Sequence, residues 1–254
     1  MRASGLQARF ADGEPVYGSN LMFPSVQMVE VIGRLGFDWV LIDCEHGAIS
    51  LESLDALAVA ADAAGIAAIV RPPSNDPVAI ARVLDRGVQG VQIPHIDTPD
   101  DARRAVAAAK YHPLGERGLA PGTRTSGYGL AFEPPEFVAQ SNRDVLVVAQ
   151  IEHKDAVANL EAIVAVEGID VFFVGTTDLS LSLGHPGQFE VPVVREAIDY
   201  CFETIRAAGK VAGSTGNAAT LKRFRERGVL YAYTPLFALL ADGANHFRAA
   251  LAGE

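Results

Sequence analysis

FDWVLIDCEHGAISLESLDALAVAADAAGIAAIVR (37–71) contains one complete unit of the fold. FDWVLID (37–43) is an unbroken apolar run ending on a carboxylate, and IAAIVR (66–71) is a second one ending on arginine. Runs that are apolar without alternation suit parallel strands covered on both faces. Between them, Ser50 with Ser53 opens a helical pattern over 51–64 and Gly65 closes it. The unit repeats outward in both directions. PVYGSNL (15–21) precedes it, and GVQIPH (90–95), VLVVAQIE (145–152), VFFVG (171–175), KVAGST (210–215) and LYAYT (230–234) follow. The other helical patterns span 25–35, 77–86 (opening at Asp76-Pro77), 99–110, 155–167, 192–208, 218–227 and 236–252, with Gly36, Gly87, Gly209 and Gly228 as stops. Eight β/α alternations in 254 residues are the arithmetic of an α/β chain forming a (β/α)8 TIM barrel, with a doubly wound open sheet as the competitor. Residues 1–254 read as one barrel domain, interrupted by a Gly-, Pro- and Arg-rich insertion at 111–145 that is expected to be an active-site loop.

Composition narrows the function. At 26.9 kDa the chain can bury roughly 70% of its extended surface. With 49% hydrophobic and 20% charged residues, it is neither disordered nor a disulfide-dense mini-fold. The net charge of −10, with no basic cluster, argues against nucleic acid and anionic membrane as partners. No run approaches a membrane span, and the N-terminus lacks the apolar core of a signal peptide, so a cytoplasmic location is expected. Cys44 and Cys201 form no C-x-x-C pair, which excludes a thiol-built metal or redox site and leaves both as packing residues.

Polar residues gather at the C-terminal ends of the strands, where barrels of this kind hold their active sites. Asp43, Glu45 and His46 follow the second strand, Arg71 ends the third, Gln150 and Glu152 lie on the fifth, and Asp178 follows the sixth. Glu152 and Asp178 are one β/α unit apart. Two such carboxylates can share a hard divalent ion such as Mg²⁺ or Mn²⁺. Each could equally cap the helix it precedes. His46 is either a hydrogen-bonding structural residue or a base whose ring Asp43 and Glu45 orient. Arg71 either meets an internal carboxylate or awaits an anionic oxygen. The Gly175-Thr176-Thr177 turn can offer backbone N–H groups to an anion, which makes Thr177 a substrate-binding candidate.

In order and spacing, GFDWVLIDCEH (36–46), RPPSND (71–76), LDRG (84–87), PLGERG (113–118), QIE (150–152), EGIDVFFVG (167–175) and DLS (178–180) resemble the HpcH/HpaI aldolase family of class II, metal-dependent pyruvate aldolases. The resemblance runs from about Gly18 to the last helix. It implies a (β/α)8 barrel with a divalent ion, Mg²⁺, Mn²⁺ or Co²⁺, on Glu152 and Asp178. It also implies a 2-oxo acid near Gln150, Thr177 and Asp178, Arg71 on the keto oxygen, and His46 supported by Asp43 as the base acting through water. Asp85 resembles an acidic residue that the family places near a neighbouring subunit's site. A homo-oligomer is implied as well, a hexamer built as a trimer of dimers with the terminal helix exchanged between subunits.

The expected reaction is reversible aldol cleavage of 4-hydroxy-2-oxo acids to pyruvate and an aldehyde. A citramalyl- or malyl-CoA-type lyase and a non-catalytic 2-oxo-acid-binding barrel are the alternatives. The chain departs from the family at Gly175-Thr176-Thr177, where a Gly-Pro is common, at Thr234-Pro235-Leu236, where relatives often read Gly-x-Asp, and at Asn20, where some have Trp. These positions leave the acceptor aldehyde open.

Overall fold

Parallel strands β1 (Val16–Leu21), β2 (Trp39–Asp43), β3 (Ala67–Arg71), β4 (Gly90–Ile93), β5 (Leu146–Ile151), β6 (Val171–Val174), β7 (Val211–Thr215) and β8 (Val229–Pro235) close in sequence order into a barrel in the computed structural model, which describes residues 4–130 and 132–253. The barrel is therefore the architecture, and the open sheet is excluded. Strands β2 to β6 are largely apolar on both faces because they have two buried faces to fill. Trp39, Leu41, Ile69, Val148 and Phe173 point into the barrel, while Val40, Ile42, Val70, Val147 and Phe172 meet the helices. Trp39 stacks on Tyr231 with ring centroids 4.1 Å apart, filling the interior so that it is a packed core without a pore.

The helices are α1 (Leu6–Ala11), α2 (Val26–Arg34), α3 (Leu51–Ala64), α4 (Pro77–Leu84), α5 (Pro99–Ala109), α6 (Pro134–Asp144), α7 (Lys154–Ala158), α8 (Leu160–Val164), α9 (Thr176–Ser182), α10 (Pro192–Ala207), α11 (Ala218–Glu226) and α12 (Leu236–Ala252). Local chemistry sets their ends. Ser50 and Ser53 form a reciprocal capping box on α3, Gly65 closes that helix at φ +77, and Asp76 accepts the Ala79 N–H ahead of Pro77. The single helix expected over 155–167 is two, α7 and α8, meeting at Asn159, whose side-chain amide donates to the Asp97 carbonyl. No helix among the described residues is long and apolar enough to cross a membrane.

The 111–145 segment differs from expectation in two ways. It contains regular structure, α6 and a short 3-10 turn at Gly127–Gly129. It also follows α5, which runs back from the strand ends, so it starts at the barrel's N-terminal end. Arg117 donates to Asp85 at 2.7 Å, and Arg124 pairs with Asp62 and reaches the Gly87 carbonyl at 3.2 Å, anchoring the segment to the C-terminal ends of α3 and α4. Within one chain this is the face opposite the strand ends. Asp85 lies on that same far face. Lys110 is buried there too, donating to the carbonyls of Asn142 and Val145.

Candidate active site

Side-chain parity decides which residues meet at the barrel mouth. Along β2 the inward positions are Trp39, Leu41 and then Asp43; along β3 they are Ala67, Ile69 and then Arg71. Along β5 they are Leu146, Val148, Gln150 and, one residue past the strand, Glu152; along β6 Val171 and Phe173 lead to Gly175. The last inward side chain of each strand is thus polar, or glycine.

Asp43 and Arg71 are register partners on β2 and β3. Arg71 Nε donates to Asp43 Oδ1 at 3.0 Å and Nη2 donates to Oδ2 at 2.6 Å, a bidentate fork on a fully buried carboxylate. Arg71 Nε also lies 3.1 Å from Glu45 Oε2. The internal-carboxylate reading of Arg71 is therefore correct for this edge of its guanidinium. Its Nη1 makes no hydrogen bond to the described residues. Burial alone would raise Asp43, but the Arg71 hydrogen bond and charge, with the N–H groups of His46 and Glu45, outweigh it and hold the carboxyl below its ordinary value. Burial would likewise lower Arg71, and Asp43 reverses that, so the guanidinium is fixed as a cation.

Asp43 serves His46 differently from expectation. It accepts the His46 backbone N–H at 3.2 Å and that of Glu45 at 3.1 Å, shaping the loop after β2 without touching the imidazole. The ring itself is 59% exposed, with Nε2 3.7 Å from Glu45 Oε2. Glu45, only 10% exposed, is pushed above its ordinary value by burial and by Glu152, against the pull of Arg71.

Gln150 lies directly beside Glu152. It is 1% exposed, with both ends of its amide engaged: Oε1 accepts from Gln92 Nε2 at 2.6 Å and Nε2 donates to Glu152 Oε2. With Tyr231 Oη donating to Gln92 Oε1 at 3.5 Å, a one-way chain of donors climbs the barrel interior and ends on the Glu152 carboxylate. Gln150 stands behind Glu152 and orients it.

His95 completes this cluster and was missed in the sequence. Its backbone N–H donates to Glu152 Oε1 at 2.9 Å, while its ring spans two carboxylates, Nδ1 3.3 Å from Glu152 Oε1 and Nε2 3.3 Å from Glu45 Oε1. The available signal was the strand ending Pro94-His95, which places a polar side chain at the same rim as Glu152.

The helix-capping alternatives fall away. His153 caps α7, and α9 has no side-chain cap; Asp178 is exposed in the first turn of α9 and makes no hydrogen bond to the described residues. Glu152 faces Gly175, where a Cβ would sit 3.0 Å from the Glu152 Cβ and 3.3 Å from its Oε2. Glycine therefore keeps space open between Glu152 and the Thr176–Asp178 turn. Glu152 Oε2 has one protein donor, Gln150, Oε1 has the His95 main chain and ring beside it, and Asp178 is uncommitted. Among the described residues no three or more His, Cys, Asp or Glu side chains converge closely enough to hold an ion by themselves. Two carboxylates with room beside them fit a hard divalent cation that takes its remaining ligands from water and substrate.

The sequence profile of the HpcH/HpaI aldolase/citrate lyase family matches residues 21–231. The chain belongs to that family. The 5-keto-4-deoxy-D-glucarate aldolase of Salmonella paratyphi A is 37% identical over 203 residues, covering 80% of this chain and 78% of that protein. The HpcH/HpaI aldolase/citrate lyase family protein from Burkholderia cenocepacia J2315 superposes with a TM-score of 0.91 at 29% identity, over 99% of this chain and 100% of the other. The HpcH/HpaI aldolase from Desulfitobacterium hafniense DCB-2 gives 0.88 at 31%, over 96% of each. As a member of the HpcH/HpaI family, the protein is a carbon–carbon lyase; its aldolase relatives act on small molecules, and class II aldolases of this family are generally dependent on a divalent metal.

Proposed function

We propose that the protein catalyses reversible cleavage of a 4-hydroxy-2-oxo acid into pyruvate and an aldehyde. The observation that supports this most is the Glu152 carboxylate, 5% exposed and facing Gly175, three residues before Asp178, and joined through His95 and Glu45 to the Arg71 cation. Glu152 and Asp178 would hold a divalent ion, Mg²⁺, Mn²⁺ or Co²⁺, which when bound draws electron density from the 2-oxo carbonyl.

The chain's own groups do the rest. Arg71, locked by Asp43, presents its uncommitted Nη1 to the keto oxygen, where negative charge grows as the C3–C4 bond breaks. No rearrangement of the guanidinium is needed at that moment. His46, at the open mouth, takes the 4-hydroxyl proton through a water as the aldehyde forms, and a proton returned to C3 completes pyruvate. The first-turn N–H groups of α9, Thr177 among them, face the substrate carboxylate. A Schiff-base lysine has no place here, since Lys154 is exposed on α7 and Lys110 is buried at the far end of the barrel.

The finer quaternary reading is a homo-oligomer, a trimer of dimers. Of the apolar residues on α12, Phe237, Leu240, Phe247 and Leu251 are exposed, a face suited to a second copy of the chain. Asp85, on the far face, would then approach a neighbour's site.

An aldehyde panel incubated with pyruvate, before and after chelation and with metal added back, tests the reaction. Metal-restored aldol product supports the reading. Product that is indifferent to chelator overturns the metal-dependent form of it, and no product with any aldehyde counts against the reaction itself.

A further inference from the structure

Tyr233 is a buried phenol near the barrel mouth with no part in the chemistry assigned to Arg71, His46 and the two carboxylates. It takes the next inward position of β8 after Tyr231, so it stands one layer nearer the mouth. Its ring is fixed on two sides: Phe173 stacks on it with centroids 5.4 Å apart and an interplanar angle of 8°, and Trp39 meets it edge-on at 5.9 Å and 86°. The residue is 7% exposed. The charged groups whose fields reach its hydroxyl are Arg71, Asp43 and Glu152, from the ends of β3, β2 and β5. The phenol therefore ends at the floor of the space that those three residues border.

Packing accounts for the ring and leaves the hydroxyl unexplained. A phenylalanine would fill the same space beside Phe173 and Trp39 without the cost of burying a polar O–H. One layer below, Tyr231 offsets that cost by donating to Gln92 Oε1 at 3.5 Å. Tyr233 has no such outlet. Thr215, its register partner on β7, is the polar neighbour of the phenol, and the Thr215 hydroxyl already donates to the Tyr233 carbonyl at 3.0 Å. No carboxylate or carbonyl among the described residues accepts the phenol's proton, and Arg71 cannot, because a guanidinium carries donors only. Burial pushes the Tyr233 phenol above its ordinary value while Arg71 pulls against it, so the group stays neutral and keeps a proton to donate.

We propose that the Tyr233 hydroxyl is a second donor to the keto oxygen of the bound 2-oxo acid, acting beside Arg71 Nη1 on the negative charge that grows as the enolate forms. The inference rests on the aldolase reading above and adds a catalytic residue to it. Phe173 and Trp39 hold the ring, so the O–H needs no movement to reach its place. A donor fixed before the charge develops stabilises the transition state more than the ground state.

Tyr233→Phe removes the hydroxyl and keeps both ring contacts, so the variant should fold. The test compares it with wild type in kcat and KM for exchange of the pyruvate methyl protons, in Mn²⁺ affinity and in melting midpoint. Inhibition of the exchange is measured with oxalate, a planar dianion that resembles the enolate, and with oxamate, which resembles pyruvate. The expected result is a fall of roughly 10²-fold in kcat, the scale of one lost oxyanion donor, with KM, Mn²⁺ affinity and midpoint little changed. Oxalate should weaken by roughly 10-fold and oxamate far less, because the bond strengthens with charge on the oxygen. A kcat within a few-fold of wild type would overturn the assignment while leaving the aldolase reading intact. A loss of rate matched by a loss of Mn²⁺ affinity or of stability would also overturn it and make Tyr233 a packing residue, and equal weakening of oxalate and oxamate would overturn it by making the hydroxyl a ground-state contact. A wild type that exchanges no pyruvate protons would overturn the aldolase reading and the assignment with it.

Discussion

The backbone N–H of His95 reaches Glu152 Oε1 at 2.9 Å because His95 adopts φ +55, a left-handed conformation uncommon for a residue with a side chain. Two contributions to holding Glu152 can therefore be separated: the main-chain bond, which needs that φ, and the ring, which bridges to Glu45. His95→Gly keeps the conformation and the N–H while removing the ring. His95→Val opposes the conformation itself, since a β-branched residue is strained there. Mn²⁺ titrations followed by electron paramagnetic resonance should show an affinity loss of roughly 10- to 100-fold for His95→Val, the scale of disturbed outer-shell contacts, and a smaller loss for His95→Gly. The reverse order would assign the effect to the ring.

Asp43→Asn should destabilise the protein by about 3–5 kcal/mol, because Arg71 would be left as a buried cation without its counter-charge. The pH dependence has a definite sign. A carboxyl held below its ordinary value contributes stability that is fully present above the unfolded value, about 4, and is lost only as pH falls through the lower folded value. Urea denaturation should give a constant gap between wild type and variant from pH 7 down to about pH 5. A gap that closes within that window would mean that Asp43 does not carry the charge paired with Arg71.

Glu152→Gln and Asp178→Asn replace charged oxygens with neutral amides of similar size and should each abolish metal-dependent turnover. Calorimetric titration with Mg²⁺ or Mn²⁺ is the direct check. Wild-type affinity in either variant would remove that residue from the ligand pair. The two should differ in stability: Glu152→Gln places an amide among the Gln150 and His95 donors, whereas Asp178 is exposed and has no such neighbours to disturb.

The barrel was legible in the sequence because strand, helix start and helix stop are local signals, and Ser50, Asp76 and Gly65 act in the structure as they read. The rim was legible as far as residue type: Asp43, Glu45, Arg71, Glu152 and Asp178 all lie near one end. Their pairings were not. Strands buried on both faces show no alternation, so nothing in FDWVLID or VLVVAQIE indicates which parity faces inward, and the Gln92–Gln150–Glu152 chain depends on that parity. For the same reason the hydrogen bond from the Gln150 amide to Glu152 was not legible. The place of the 111–145 segment was not legible, because its glycines and prolines report irregular structure without reporting the end of the barrel; Arg117 and Arg124 set that through Asp85 and Asp62.

His46→Ala should lower the cleavage rate by roughly 10²- to 10⁴-fold if the imidazole accepts the 4-hydroxyl proton. Its ring is largely exposed and Asp43 holds only its main chain, so the loop after β2 and the thermal midpoint should change little. Retro-aldol rates measured beside a melting curve separate the two roles. An unchanged rate would leave His46 as a rim residue without a part in proton transfer.

Pyruvate needs no aldehyde to enolise in a class II aldolase, so exchange of its methyl protons isolates the chemistry assigned to Arg71, Glu152 and Asp178 from every question about the acceptor. The most direct measurement is nuclear magnetic resonance of pyruvate in D₂O with the purified protein, taken with Mn²⁺ or Mg²⁺, after chelation, and after the metal is restored. Deuterium incorporation should stop on chelation, return with the ion and be lost in Glu152→Gln. Pyruvate that binds but keeps its methyl protons under all three conditions would contradict it and leave a barrel that holds a 2-oxo acid without turning it over.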